Sequence, residues 1–466
     1  MIRSFVAAVI FILAVLPGCR DRLALTRAGP PPSILLVTLC SWRADHVGAW
    51  GYARDTTPTL DGLAQRGIRF EHAWAASNWT NASVASIYTA RWPFRHGLVD
   101  YRDVLDGRST VLQDALAARG LTTAQLISGS APGALQAREG MRRGFSWTGE
   151  VDMGAGFSPE PLVAWLATQP GPYLAHVHIR RARAYPFYDN ARPYADALDP
   201  RLAQWLKMTI GQAPDPGPAA KAAFQRELQH DAVLHQSLVD IYDAGLHQAD
   251  AQLGELLAAL EAAGRLDDTV IVVVGDHGEM LGEEGDIGHP TTLHPALAQV
   301  PMVMVLPDGG GAGRVVSDDV SQVDVMPTLV AMLGMDLPAG VDGRSLVPLL
   351  EGAPLPPRPA LTQIADRPDA ESYGLFERVS MGSWSIHSDR AGANGGPASP
   401  HGHWSVDRRN ADGTWSPDTN GGSTSTPEVQ ALLTWHDENG APAGWSATVK
   451  TVPEDQKTIM KRDGYW

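Results

Sequence analysis

Val270-Ile271-Val272-Val273-Val274 runs without a polar interruption into Gly275-Asp276-His277-Gly278. Five consecutive β-branched residues read as a strand buried on both faces, because a half-exposed strand alternates apolar and polar positions. A second run of this kind, Ile34-Leu35-Leu36-Val37-Thr38-Leu39, ends in Cys40-Ser41. Strands covered on both faces are central strands of a sheet flanked by helices. Weaker apolar runs at residues 123–127, 173–177 and 301–306 supply further strands. Helical patterns fill the intervals. Thr57 precedes Pro58, a capping residue followed by proline at the first helical position, and Leu60, Leu63 and Ala64 then repeat at helical spacing. Residues 112–118, 162–168 and a long stretch over 222–263 read the same way. The alternation predicts an α/β fold, doubly wound around a mostly parallel sheet, with right-handed connections.

The two ends of the chain have a different texture. Phe5 to Leu16 is an apolar run after Arg3, too short to span a bilayer as a stable helix, and it closes in Leu16-Pro17-Gly18-Cys19. That ending resembles a bacterial lipobox and makes Cys19 the expected lipidation site, with residues 1–19 as a lipoprotein signal peptide. Residues 20–32, ending in Gly29-Pro30-Pro31-Pro32, read as a tether. The expectation is export, with the lipid anchor holding the protein on a membrane at a periplasmic or cell-surface face. An ordinary secretory peptide or an uncleaved anchor is the alternative. The main domain then spans 33–354. Residues 355–466, rich in Gly, Ser, Asn and Pro over 386–426 with scattered Trp, read as a small C-terminal α+β subdomain of short strands and loops. A short helix is expected over 454–464.

Net charge is −15, which removes the basic bias that a nucleic-acid partner requires. It does not exclude an anionic small substrate, since charge within a cleft decides that. Only Cys19 and Cys40 are present, so no disulfide framework holds the fold.

Ligands of open α/β sheets sit at the carboxyl ends of the strands. If the two strongest strands are central and parallel, Cys40, Ser41, Asp276 and His277 meet at one edge. Asp and neutral His suit a divalent cation, and a turn-capping Asp beside an ordinary loop His is the plainer alternative. A second element, Ser77-Asn78-Trp79-Thr80-Asn81-Ala82-Ser83-Val84, reads as a loop entering a helix. A hydroxyl there lies near free backbone N–H groups and the positive end of the helix dipole, a good place to bind and attack an anionic ester. Helix capping by Thr80 or Ser83 competes with that reading.

Taken together these segments resemble the sulfatase family of the alkaline phosphatase superfamily, over most of residues 33–350. The landmarks are Arg43-Ala44-Asp45-His46, Gly51-Tyr52, Thr56-Thr57-Pro58-Thr59-Leu60-Asp61, Trp92-Pro93-Phe94-Arg95-His96-Gly97, Asp276-His277-Gly278-Glu279 with Gly288-His289, Gln322-Val323-Asp324-Val325-Met326-Pro327-Thr328-Leu329 and Asp342-Gly343-Arg344-Ser345-Leu346. Gly464-Tyr465 also looks like the family's ending. The resemblance implies an alkaline phosphatase-like fold and hydrolysis of sulfate or phosphate esters at one divalent metal, calcium or magnesium. Asp276 and His277 match metal ligands, Thr80 falls at the nucleophile, and His289, Ser83 and Arg183 fall around the anion. The implied ligand is a small or glycan-linked anionic ester.

The chain departs from the family at the centre of the site. Cys40 stands where the first metal carboxylate belongs, with Ser41 beside it. The nucleophile motif Cys or Ser, x, Pro, x, Arg is here Thr80-Asn81-Ala82-Ser83-Val84, and Thr is not a precursor of formylglycine, so none is expected. Arg183 falls where the family has a further histidine. A thiol in place of a carboxylate replaces a hard ligand by a soft one. Zinc accepts Cys, His and Asp together, so Cys40, Asp276 and His277 would form a three-ligand zinc site; alternatively Cys40 is a small buried strand-end residue. Arg180, Arg181 and Arg183 would supply the positive charge that Val84 lacks, unless they form a solvated run. Three functions fit: an ester hydrolase with an altered site, a catalytically silent relative that binds a ligand or partner, and a transferase moving a charged group onto an envelope glycan through Thr80.

Overall fold

The computed structural model describes residues 30–99, 103–105, 107–128, 135, 140–151, 157–180, 199–209, 214, 217–289, 292–366, 372–388, 398–399, 402–411, 414–418, 426–441 and 447–448. The signal and lipidation segment with Cys19, Arg181, Arg183, and the tail from 449 lie outside them. No helix among the described residues is long and apolar enough to cross a membrane.

The main sheet contains β1 (Ser33–Cys40), β2 (Ile68–Trp74), β3 (Thr122–Ser128), β4 (Trp147–Val151), β5 (Tyr173–Arg180), β6 (Thr269–Gly275), β9 (Gln299–Val305) and β10 (Arg314–Ser321). The two-residue strands β7 (Met280–Leu281) and β8 (Ile287–Gly288) form a separate hairpin. The spatial order is β10-β2-β9-β6-β1-β5-β3-β4. Every neighbouring pair is parallel except those of β9, which runs antiparallel to both β2 and β6. β1 and β6 are adjacent central strands, as their unbroken apolar runs require.

Helices cover both faces. They are α1 (Pro58–Arg66), α2 (Thr80–Thr89), α3 (Pro93–His96), α4 (Leu112–Ala118), α5 (Glu160–Ala167), α6 (Pro200–Thr209), α7 (Gly217–His230), α8 (Ala232–Ala262), α9 (Pro295–Ala298), α10 (Val325–Met332), α11 (Val347–Leu350) and α12 (Pro427–Asn439). The period-two geometry of the strands divides their side chains between two cores. Ile34, Leu36, Val270, Val272 and Val274 pack with residues of α2, α4 and α10, whereas Leu35, Val37, Leu39, Ile271 and Val273 pack with α1, α5 and α8.

Two local expectations change. The periodic stretch over 222–263 is two helices, because Asp231 breaks it and caps α8 by accepting from the N–H groups of Val233 and Leu234. Thr57 precedes α1 without capping it; its hydroxyl donates to Asp61 Oδ1 at 3.3 Å. The free N–H groups of Thr59 and Leu60 are satisfied instead by Asp250 from α8, at 2.7 and 2.9 Å.

After Pro359 the chain builds a second, antiparallel sheet from β11 (Ala360–Asp366), β12 (Ser372–Met381), β13 (Trp384–Ser388), β14 (Ala398–Ser399), β15 (Gly402–Arg409), β16 (Trp415–Pro417) and β17 (Ala447–Thr448). With α12 it forms an apolar core around Leu361, Val379, Ile386, Trp404 and Leu432, which takes in Ala76, Trp92 and Val323 of the main unit. The join is backbone-deep. Gln363 N–H donates to the Ala76 carbonyl at 2.9 Å and the Thr362 hydroxyl to the Ala75 carbonyl at 2.7 Å.

Candidate active site

Because β1 and β6 are parallel neighbours, their carboxyl ends open together, and Asp276 N–H still donates to the Leu39 carbonyl at 3.0 Å. The chain leaves β1 through Ser41, whose φ of 61° is in the left-handed region. That conformation costs a serine on the order of 1 kcal/mol and persists where the surroundings over-determine it. Here Ser41 N–H donates to Asp276 Oδ1 at 2.9 Å, and the Ser41 carbonyl accepts from Tyr242 Oη at 2.8 Å.

Asp276 is fully buried. Its Oδ1 accepts from the N–H groups of Ser41 and His277, whereas its Oδ2 has no hydrogen-bond partner. A buried carboxylate oxygen left unpaired is costly unless something else satisfies it. His277 donates from Nδ1 to the Gly278 carbonyl at 2.8 Å, so its Nε2 carries the lone pair. Gly278 is required by close approach: a Cβ there would stand 1.8 Å from the Ala296 carbonyl oxygen.

α2 supplies the hydroxyl. Its N-cap is Trp79, with no side-chain cap, so Thr80 is the first helical residue and not the cap. Thr80 Oγ1 lies 3.3 Å from His277 Nε2 and 3.9 Å from Cys40 Sγ. The fold therefore brings Cys40, Thr80, Asp276 and His277 together from three elements. His289 stands beside them, its ring centroid 4.7 Å from that of His277. Ser83 is differently occupied: its buried hydroxyl donates to the Ser77 carbonyl at 2.8 Å and closes the loop ahead of α2. Ala82 and Val84 are wholly buried in the apolar core. Arg183 lies outside the described residues.

Sequence reading missed His178. A ring nitrogen of His178, Cys40 Sγ and a carboxylate oxygen of Asp276 all lie within 4.8 Å of one another. The signal was the alternation in Tyr173-Leu174-Ala175-His176-Val177-His178-Ile179-Arg180, where every second residue is polar in an otherwise apolar, fully buried strand. Arg180 faces Cys40 in the β1–β5 register. Burial pushes the Cys40 thiol up to about 11, with the Asp276 charge adding and Arg180 opposing.

The donor set is chemically specific. It offers sulfur, imidazole nitrogen and one carboxylate with an unpaired oxygen. That mixture suits zinc, which takes Cys, His and Asp in tetrahedral sites, and it is poor for calcium, which wants six or more oxygens. A cavity of about 330 Å³ lies between Glu284, Thr292–Pro295 and the second sheet, and Cys40, Thr80, His178, Asp276 and His277 are not among its walls; the Asn78 Nδ2 to Thr292 carbonyl contact at 3.2 Å links its rim to the loop ahead of α2. Arg378, His387 and Asp407 are among its walls.

The sulfatase family model matches residues 32–335. The chain belongs to the sulfatase family. It is 27% identical over 401 residues to arylsulfatase A of Bos taurus, covering 77% of this chain and 75% of that one. Over 114 residues, 23% of this chain and 21% of the relative, it is 38% identical to the multifunctional alkaline phosphatase superfamily protein PehA of Trinickia caryophylli. Two solved structures share the fold. One is the phosphonate monoester hydrolase of Agrobacterium radiobacter (22% identity, TM-score 0.58, 77% of this chain and 87% of that one). The other is BT4656, solved with its substrate D-glucosamine-2-N,6-O-disulfate (18% identity, TM-score 0.65, 93% and 99%). Sulfatases of this superfamily generally use a divalent metal, and among the described residues the group whose ligand atoms lie close enough together to hold one is Cys40, His178 and Asp276; the expected ligand His277 is outside that group, its Nε2 3.7 Å from Asp276 Oδ2.

Proposed function

We propose that the protein is a hydrolase of sulfate or phosphate esters in which Thr80 is the nucleophile and zinc replaces the family's hard ion. The observation that carries the reading is the Thr80 hydroxyl at the start of a ten-residue buried helix, 3.3 Å from the bare Nε2 of His277 and next to the unpaired Oδ2 of Asp276. Asp276, His277 and Cys40 would hold the ion; His277 Nε2 and Asp276 Oδ2 are 3.7 Å apart. Bound there, zinc would polarise the ester and lower the proton affinity of the nucleophile.

The chain's own groups do the rest. The Nδ1–H to Gly278 bond fixes the imidazole so that its lone pair accepts the Thr80 proton in the cluster as it stands; the same lone pair is the one an ion would take. Thr80 stands at the start of the ten-residue α2, where the positive end of the helix dipole would favour the attacked anion. Thr80 Oγ1 forms a bond to sulfur or phosphorus, the ester oxygen departs with a proton as the alcohol, and water then releases the sulfate or phosphate and restores the threonine. Arg180 supplies the positive charge that Val84 does not, facing Cys40 across the β1–β5 register. The relative solved with a sulfated glucosamine supports a glycan-linked ester as substrate. The Leu16-Pro17-Gly18-Cys19 ending supports lipidation at Cys19 and a place on the outer side of a membrane.

A catalytically silent, ligand-binding relative is the second reading, favoured by the burial of Ala82 and Val84 in the apolar core. The two separate in one experiment. Purified protein is analysed for bound metal and assayed with aryl sulfates and aryl phosphates after zinc loading. Stoichiometric zinc with turnover abolished by Thr80→Ala supports the hydrolase; turnover no greater than that of Thr80→Ala sinks it. Transfer of a charged group onto a glycan acceptor through Thr80, without hydrolysis, would instead select the transferase.

A further inference from the structure

On the face of the main sheet under α2, a line of buried polar side chains runs from β3 to the cluster. Gln125, Tyr88, His176, Thr38 and His178 are all buried, at 0–1% exposure, and joined end to end. Gln125 Nε2 lies 2.9 Å from Tyr88 Oη, Tyr88 Oη 2.5 Å from His176 Nδ1, His176 Nε2 2.8 Å from Thr38 Oγ1, and Thr38 Oγ1 2.8 Å from His178 Nδ1. The far atom, His178 Nε2, is buried with no partner.

The direction of this line is fixed at its remote end. Gln125 Nε2 also lies 3.2 Å from the Met141 carbonyl, which only accepts, so the amide nitrogen and not its oxygen occupies that place. Gln125 therefore donates to Tyr88 Oη. The tyrosine proton then has one acceptor left, His176 Nδ1. An imidazole that accepts at Nδ1 carries its proton at Nε2, so His176 donates to Thr38. The threonine proton has one acceptor left, His178 Nδ1, and His178 must carry its proton at Nε2. Reversing the line would leave the buried Tyr88 proton without an acceptor, which the surroundings penalise.

We infer that this relay presents His178 to the cluster as an N–H donor for an oxygen of a bound tetrahedral oxyanion, and not as a metal ligand. The contrast with His277 is direct: a carbonyl holds the Nδ1 proton of His277 and frees its Nε2 lone pair, whereas a hydroxyl proton occupies Nδ1 of His178 and puts a proton on its Nε2. Of the two histidines within reach of Asp276, one is prepared for an ion and the other for an anion. Gln125, Tyr88, His176 and Thr38 are positioning residues that act through His178. The donor role rests on the ester-hydrolase reading of the pocket; the tautomer does not.

The test uses the full chain. Nitrogen-15 NMR of histidine-labelled protein should show His178 protonated at Nε2 and bare at Nδ1, and Tyr88→Phe, which removes one buried oxygen at nearly constant shape, should release that preference. Inorganic phosphate affinity should fall about tenfold or more in His178→Leu and stay within a few-fold of wild type in His178→Gln, which keeps an N–H donor. Zinc affinity should be unchanged in His178→Gln. A bare Nε2 in the wild-type spectrum, a loss of zinc affinity of about a hundredfold in His178→Gln, or wild-type protein that does not bind phosphate overturns the proposal. The expected tautomer and phosphate binding in a protein that turns over no ester would leave the tautomer and the oxyanion contact standing and remove the hydrolase reading.

Discussion

The two strand ends that meet in the cluster are built to different rules. At the end of β6, Asp276 and His277 form a donor set whose orientation is fixed by backbone: two N–H groups on Oδ1, a carbonyl on Nδ1, and a glycine pressed against Ala296. At the end of β1 the residues are neutral. Cys40 holds its proton, Ser41 is bent into the left-handed region, and α2 above them offers a hydroxyl over a helix whose next positions are sealed into the core. The difference teaches that the β6 side is fixed by backbone contacts, whereas the β1 side carries the residues that depart from the family's pattern.

Four measurements press on that contrast. The largest effect is expected from Thr80→Ala, which removes the proposed nucleophile while leaving the metal side intact: kcat should fall about a thousandfold or more with zinc binding preserved. Equal loss of zinc would mean that Thr80 belongs to the metal half. Next comes the pH response of the metal-free protein. The Cys40 thiol is raised from 9.0 to about 11 by burial and by Asp276. The folded state thus keeps its proton where the unfolded state releases it, so stability from this group is full below pH 9 and declines as pH rises through 11, by on the order of 2–3 kcal/mol. Urea unfolding of wild type minus Cys40→Ala across pH 8–11 isolates the decline, and a flat difference would place the thiol in a solvated setting. Third, Cys40→Asp gives the β1 side a hard ligand and a charge; calorimetry should show magnesium or calcium affinity rising about tenfold at least while the preference for zinc shrinks. The smallest effect is Ser41→Gly, which relieves the left-handed turn and should stabilise the protein by about 0.5–1 kcal/mol in urea melts. A loss of stability there would show that the serine side chain, and not the bend, is what the turn requires.

Much of this architecture was legible from residues 34–40 and 270–278, because central strands are long apolar runs and the site follows from where such runs stop. β2 and β10 were not legible. Ile68-Arg69-Phe70-Glu71-His72-Ala73-Trp74 and Arg314-Val315-Val316-Ser317-Asp318-Asp319-Val320-Ser321 carry charge on partly exposed faces near the sheet edge, so hydrophobicity alone does not single them out. The break at Asp231 has no Gly or Pro to announce it. In the site, Asp276, His277 and Thr80 could be read because each lies in a local motif. The relay could not, because Thr38, Tyr88, Gln125 and His176 come from four elements and mean nothing until the sheet brings them together, although the alternation of β5 was there to be seen.

The attachment of the second sheet has a consequence in time. The carbonyls of Ala75 and Ala76, a few residues ahead of Thr80, are held by Thr362 and Gln363, and the contact between Thr362 and Ala75 spans 287 residues of chain. Contacts of such separation are among the last to form, since the loop between them must close first. As the polypeptide emerges from the ribosome, the loop ahead of Thr80 therefore stays unset until Thr362 and Gln363 have been made, and Thr80 comes into register only after them.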